Sequence, residues 1–144
     1  MIWLKLCNIE IKHFLWNNNN TFKQAPASRG CLVLGGQGTQ RNINIRNNII
    51  TSYSVAPMII ERTNSGTLTI DTLLITHNDF YNNANSNNIQ YTSITPTHLT
   101  VSNQITSNPL FVSSTDFNLQ LSSPCIDAGT NIGYSYSGSS PDMG

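Results

Sequence analysis

Residues Asn42-Ile43-Asn44-Ile45-Arg46-Asn47-Asn48-Ile49-Ile50 constrain this chain more than any other stretch, because the phrase they form recurs. Ile43 and Ile45 alternate with polar residues, which is the two-residue period of a half-buried strand. Asn47-Asn48 interrupts that alternation. Asparagine accepts left-handed backbone angles and hydrogen-bonds its own neighbours, so the pair reads as a sharp bend. Ile49-Ile50 then resumes the apolar character. The phrase is strand, bend, strand.

Two further copies align with it. Asn8 to Trp16 forms the first and Asp71 to Phe80 the third, with Ile9, Ile43 and Leu73 in one column and Ile11, Ile45 and Ile75 in the next. His13, Asn47 and His77 share a bend position, as do Phe14, Asn48 and Asn78. Trp16, Ile50 and Phe80 follow the bend. Between the copies lie short apolar strands, Cys31 to Leu34, Met58 to Ile60 and Ile89 to Tyr91, which align as Leu34, Ile60 and Tyr91. The run Asn17 to Gly30, with its four asparagines and Pro26, reads as an exposed loop. Copies recurring at intervals of roughly 30 residues signal a repeat architecture.

The choice among repeats is narrow. Helical repeats need apolar residues at i, i+3 and i+4, and Asn, Ser and Thr are poor in helix interiors. The chain has twenty Asn, sixteen Ser and fifteen Thr. Leucine-rich repeats need a shorter period with leucines at fixed offsets, and propeller blades need four hairpin-linked strands per repeat. A parallel β-solenoid remains. In it each strand lies about 4.8 Å from its equivalent in the next coil, so like residues stack. Asparagines stacked at a bend exchange amide hydrogen bonds between coils, which makes Asn47, Asn48 and Asn78 a structural ladder.

Charged residues make up 10% of the chain, with seven basic and seven acidic side chains. That balance argues against a nucleic-acid partner or a polybasic membrane patch. No run approaches the ~18 apolar residues of a membrane span. Cys7, Cys31 and Cys125 have no paired spacing for metal or redox work and read as buried free thiols. Met1 to Leu6 is too short for a signal-peptide core and already looks like strand. It reads as the interior of a longer chain, with Ile2, Leu4 and Leu6 on an edge that calls for preceding coils.

Beyond His98-Leu99-Thr100-Val101, one more candidate strand, the pattern changes. Asn108-Pro109-Leu110-Phe111 leads into an alternating Phe117, Leu119, Leu121 strand and then Ser123-Pro124-Cys125-Ile126-Asp127-Ala128-Gly129. A repeat stack must cover its end or leave backbone groups unpaired, so residues 105–130 read as a C-terminal cap after coils at 1–104. Residues 131–144, rich in Gly and Ser, read as an extended tail. With the asparagine bends, this closing segment resembles the right-handed parallel β-helix proteins of the pectate-lyase-like superfamily, and the ending typical of extracellular bacterial members. The coil resemblance spans most of 8–101 and is shared by many β-helices; the closing motif at 108–129 is more specific. The resemblance implies an all-β, right-handed parallel β-helix of about three to four coils plus cap, at the cell surface or secreted, in a polysaccharide setting.

Enzymes of that fold use clustered carboxylates, for calcium or for hydrolysis, with an Arg or Lys base in the lyases. The seven acids here are scattered, and the alignment stacks no two of them: Glu10 falls over Asn44 and Leu74, and Asp79 over Ile49 and Leu15. No catalytic residue, metal ligand or cofactor is assigned, calcium being implied only for a longer protein. Asp127 reads as a turn acceptor. The polar columns Lys12, Arg46, Thr76 and His13, Asn47, His77 make Lys12, His13, Arg46 and His77 the candidate contacts for an anionic sugar. The reading is a scaffold with polysaccharide contact. Its rivals are the C-terminal part of a polysaccharide lyase or glycoside hydrolase with upstream catalytic coils, and a display or adhesion module.

Overall fold

The structure, a computed structural model, describes residues 9–10, 16–23, 31–35, 38–61, 67–92, 94 and 96–144. The chain is all-β with parallel strands. They run, in order, β1 (Ile9–Glu10), β2 (Trp16–Asn18), β3 (Thr21–Lys23), β4 (Leu32–Gly35), β5 (Gly38–Arg46), β6 (Ile49–Thr51), β7 (Met58–Glu61), β8 (Leu68–Thr76), β9 (Asp79–Tyr81), β10 (Gln90–Thr92) and β11 (Leu99–Ser102). Three sheets result: β1-β4-β7-β10, β2-β5-β8-β11 and β3-β6-β9. Successive strands therefore enter the first, second and third sheet in turn. That order repeats to the end, where Ile105 bridges Asp79 in parallel beside the third sheet.

One apolar column explains the packing. Ile43 pairs with Leu73 and Leu73 with Leu99, while Ile45 pairs with Ile75 and Ile75 with Val101. Ile43, Ile45, Leu73 and Ile75 are buried in a single core with Ile50, Phe80, Met58, Ile60 and Ile70. The alternation fails once in each long strand. Gln40 and Ile43 both face inward, as do Ile70 and Leu73, because Asn42 and Thr72 take left-handed angles (φ 56° and 61°) and add a residue. Arg41 and Asn42 consequently both face outward.

The bends repeat with the same economy. Asn19, Asn47, His77 and Asn103 all take φ between 52° and 55° and turn the chain out of the second sheet. The residue after each forms the ladder. The Asn20 N–H donates to Asn48 Oδ1 (3.2 Å), the Asn48 N–H to Asn78 Oδ1 (3.0 Å) and the Asn78 N–H to Gln104 Oε1 (3.1 Å). Two of these amides also donate backwards: Asn78 Nδ2 to the Ile45 carbonyl (3.0 Å) and Gln104 Nε2 to the Ile75 carbonyl (2.7 Å). A second ladder follows the third sheet, where the Tyr53 N–H donates to Asn83 Oδ1 and Asn83 Nδ2 to the Ile50 carbonyl. Asn87, from a short 3-10 turn, takes the next rung by accepting the Asn83 N–H.

Five sequence expectations need correction. The first copy is offset: Ile9 pairs with Leu34 in the first sheet, not with Ile43, and Trp16 pairs with Asn44 rather than sharing a rung with Ile50. Thr21-Phe22 stands opposite Ile49-Ile50, so Asn17-Asn18 end β2 and Asn19 bends the chain into β3 instead of opening a loop, while residues 24–30 of the expected loop lie outside the described residues. Asp79 falls over Ile49 as aligned, but the next position in that column is Thr21 rather than Leu15, and Glu10 pairs with Gly35 rather than lying over Asn44. Asn47 belongs to the bend column and not to the ladder. Lastly, Phe117 to Leu121 forms no strand: Leu119 makes a lone antiparallel bridge to Phe111, and Leu121 is fully exposed. Cys31 and Cys125 are buried. Cys7, Ile2, Leu4 and Leu6 lie outside the described residues.

Residues 105–144 lie along the outward side of the third sheet. Ile49, Cys125 and Met143 form a second buried cluster, with Ile105, Phe111, Leu119 and Ala128 packed on it. Asn47 ties the segment down. Its Nδ2 donates to the Thr130 carbonyl (2.8 Å), its Oδ1 accepts the Thr130 N–H (2.9 Å), and its carbonyl accepts the Gly144 N–H (2.8 Å). Lys23 reaches over the rings of Phe111 and Phe117 and donates to the Ser114 carbonyl.

Candidate functional site

The outward face of the second sheet collects the polar side chains that structure alone does not explain. β5 contributes Arg41, Asn42, Asn44 and Arg46, β8 contributes Asp71, Thr72 and Thr76 around the apolar Leu74, and β11 contributes Thr100 and Ser102. Strand alternation sends these residues away from the core that Ile43, Ile45, Leu73 and Ile75 fill. The bulge at Asn42 adds one polar residue to the face.

At the bend end stand Arg46 and His77. Arg46 Nη2 donates to Asn44 Oδ1 (2.6 Å), which holds the guanidinium along its own strand. Arg46 Nε is covered and makes no hydrogen bond. His77, half-buried, meets Asn103 Nδ2 through its Nε2 at 3.1 Å. An amide nitrogen only donates, so Nε2 is the acceptor and the ring proton sits on Nδ1, which is covered and unpaired. Burial, and then the charge of Arg46, hold the His77 imidazole below its ordinary pKa. His77 is therefore neutral at neutral pH, and Arg46 supplies the charge at this end.

At the opposite end stands a group that the alignment did not assemble. Arg41 and Asp71 are register partners, with Arg41 Nε 3.6 Å from Asp71 Oδ2. His98, just before β11, places Nδ1 at 2.5 Å from Asp71 Oδ1. The His98 hydrogen bond, joined by the charges of His98 and Arg41, holds the Asp71 carboxyl below the usual carboxylate range. Asp71 is thus ionised, and Arg41 and His98 are largely exposed beside it. Arg41 and Asp71 are 30 positions apart, the same interval as Asn48 and Asn78. Extending the ladder register along the strand would have found them.

Of the four candidate contacts from sequence, Arg46 and His77 are neighbours on this face. Lys12 and His13 lie outside the described residues. The register gives the positions beside Arg46 and Asn47 in the preceding strand and bend to Asn18 and Asn19. Asp116, Asp127 and Asp142 are engaged in structural contacts. Asp116 accepts from the Asn118 N–H and Nδ2, Asp127 accepts the Ser139 and Ser140 N–H groups, and Asp142 accepts the Asp127 N–H. Asp127 accepts backbone N–H groups as its sequence suggested, but from residues 12 and 13 positions downstream rather than from its own turn. Among the described residues no group of three or more His, Cys, Asp or Glu side chains is placed to hold a metal ion, and no helix is long and apolar enough to cross a membrane.

No family model, curated protein or solved structure matches the chain.

Proposed function

We propose that this chain is part of a right-handed parallel β-helix, each visit to the three sheets being one coil, and that it is a non-catalytic scaffold contacting acidic polysaccharide outside the cell. The observation that carries the glycan reading is the second sheet's outward face, where Arg41 and Arg46 project from one strand with His98 and His77 beside them. Asn44, Thr100 and Ser102 supply neutral donors and acceptors between the two ends. A shallow, rigid, polar strip of this kind suits an extended chain whose carboxylates meet guanidinium groups. The cyclic order of strands and the asparagine ladders support the β-helix reading. The closing motif at 108–129 supports the extracellular one.

Binding of the whole chain to polygalacturonate, alginate and a neutral glucan tests this, alongside R46A and R41A. Charged hydrogen bonds contribute about 1.5–3 kcal/mol, so R46A is expected to weaken acidic-glycan binding by roughly tenfold or more. Added salt should weaken it as well. Equal retention on the neutral glucan, or unchanged binding by both variants, overturns the contact face. Release of unsaturated sugars, seen by ultraviolet absorbance, overturns the non-catalytic role.

A further inference from the structure

Asp79 has no exposed surface, and it sits where the C-terminal segment meets the third sheet. In the sheet its column neighbours are Ile49 and Ile105, neither of which can pair with a charge. From the covering segment comes the Cys125 thiol, which donates to Asp79 Oδ2 at 3.4 Å, and the Ser107 N–H also points to the carboxyl. Oδ1 has no hydrogen-bond partner. In the segment Asp142 raises the Cys125 thiol and adds no cation, and Lys23 on the third sheet spends its ammonium on the Ser114 carbonyl and the Phe111 and Phe117 rings. A carboxylate thus buried, met by a weak thiol donor and the Ser107 N–H and by no cation, is costly when charged and tolerable when neutral.

We propose that Asp79 is a proton-operated latch: its neutral carboxyl lets the segment around Cys125 and Met143 lie on the third sheet, and its ionisation loosens that segment without opening the sheets. The geometry allows separate movement. The segment is held by the Ile49–Cys125–Met143 cluster, by Asn47 on the Thr130 and Gly144 backbone, and by Lys23, while the sheets are held by their own ladders. Burial raises the Asp79 carboxyl from 3.8 to about 7, the hydrogen bond from Cys125 only partly opposing it. When the segment lifts, the carboxyl returns to water and to its ordinary value. A carboxyl raised in the docked state favours docking most at acid pH. Docking then weakens about tenfold per pH unit between roughly 4 and 7 and levels off above that, a loss near a thousandfold.

Hydrogen exchange of the whole chain, expressed as protection factors so that intrinsic pH dependence is removed, tests the latch. The Gly129, Thr130, Met143 and Gly144 amides should lose protection about tenfold per pH unit from pH 4 to 7, while Ile45 and Ile75 amides keep theirs. D79N should abolish the slope and hold the segment closed throughout. Should D79N not fold, C125A serves instead: loss of the thiol donor pushes the carboxyl higher, so the slope should persist past pH 7. Flat protection in the unaltered chain overturns the proposal, as does an unchanged slope in D79N. If the sheet amides open together with the segment, the latch is overturned in favour of global unfolding.

Discussion

Asn47 and Asn48 are adjacent and chemically identical, yet the fold uses them differently. Asn47 takes the left-handed angle and spends its amide on the Thr130 backbone, whereas Asn48 is extended enough to stack on Asn78. The ladder is a matter of satisfying backbone groups rather than of asparagine as such, which is why Gln104 continues it at the last rung. Asn78 is the most committed of the four. It is fully buried, accepts the Asn48 N–H and donates to the Ile45 and Thr76 carbonyls. Each buried polar group left unpaired costs about 1–3 kcal/mol, so N78A should lose about 3 kcal/mol or more in denaturant unfolding. Gln104 is half-buried at the end of the stack, and Q104A should cost clearly less. Similar losses for the two would mean that the ladder is not what holds the bend. The bend itself is legible in the sequence at Asn47-Asn48 and at His77-Asn78, where alternating isoleucine and leucine frame it. At the first copy the same reasoning misleads. Ile9 and Ile11 imitate Ile43 and Ile45, because alternation is common and carries no register. The better guide is Asn19-Asn20 followed by Thr21-Phe22, which reproduces left-handed residue, rung, outward residue and core residue in order.

Between elements, the least legible feature is the third sheet's outward side. Ile49, Asp79 and Ile105 look like ordinary strand residues in sequence, and only the chain far downstream reveals that they are covered. Cys125 and Met143 are isolated apolar residues among Ser, Gly and Pro, so periodicity cannot assign them a partner. The segment lies tightly against Asn47 at Gly129. A Cβ there would meet the Pro141 carbonyl oxygen at 2.8 Å and the Asn47 side chain at 3.0 Å. Both neighbours are already fixed, since Pro141 O accepts the Gly129 N–H and the Asn47 amide holds Thr130. G129A should therefore cost about 1–3 kcal/mol through overpacking. The loss should appear as faster exchange at Thr130 and Gly144, with the β5 and β8 amides unaffected. Normal exchange at Thr130 would show that the segment does not lie against Asn47.

The whole molecule has one well-covered middle and an end that is not covered by any described residue. The column Ile45, Ile75, Val101 makes the point: the first two are wholly buried, and Val101, pairing in the same register, is 44% exposed. Tyr91 repeats this above Ile60 in the first sheet. Burial along a column is supplied by the neighbour on each side, so a residue with one neighbour gains roughly half the transfer free energy. I75A should then cost about 2–5 kcal/mol, since it opens a cavity between two occupied positions. V101A removes less surface and opens no cavity, so its cost should stay below about 1 kcal/mol. Unfolding in denaturant at several protein concentrations separates this from the alternative. If V101A costs as much as I75A, and both midpoints rise with concentration, another copy covers that end in solution and the exposed edge of β10 and β11 is an interface. If V101A is nearly silent and the midpoints do not move, the stack ends at β11 as a free edge, and its stability resides in the paired length of β5 and β8.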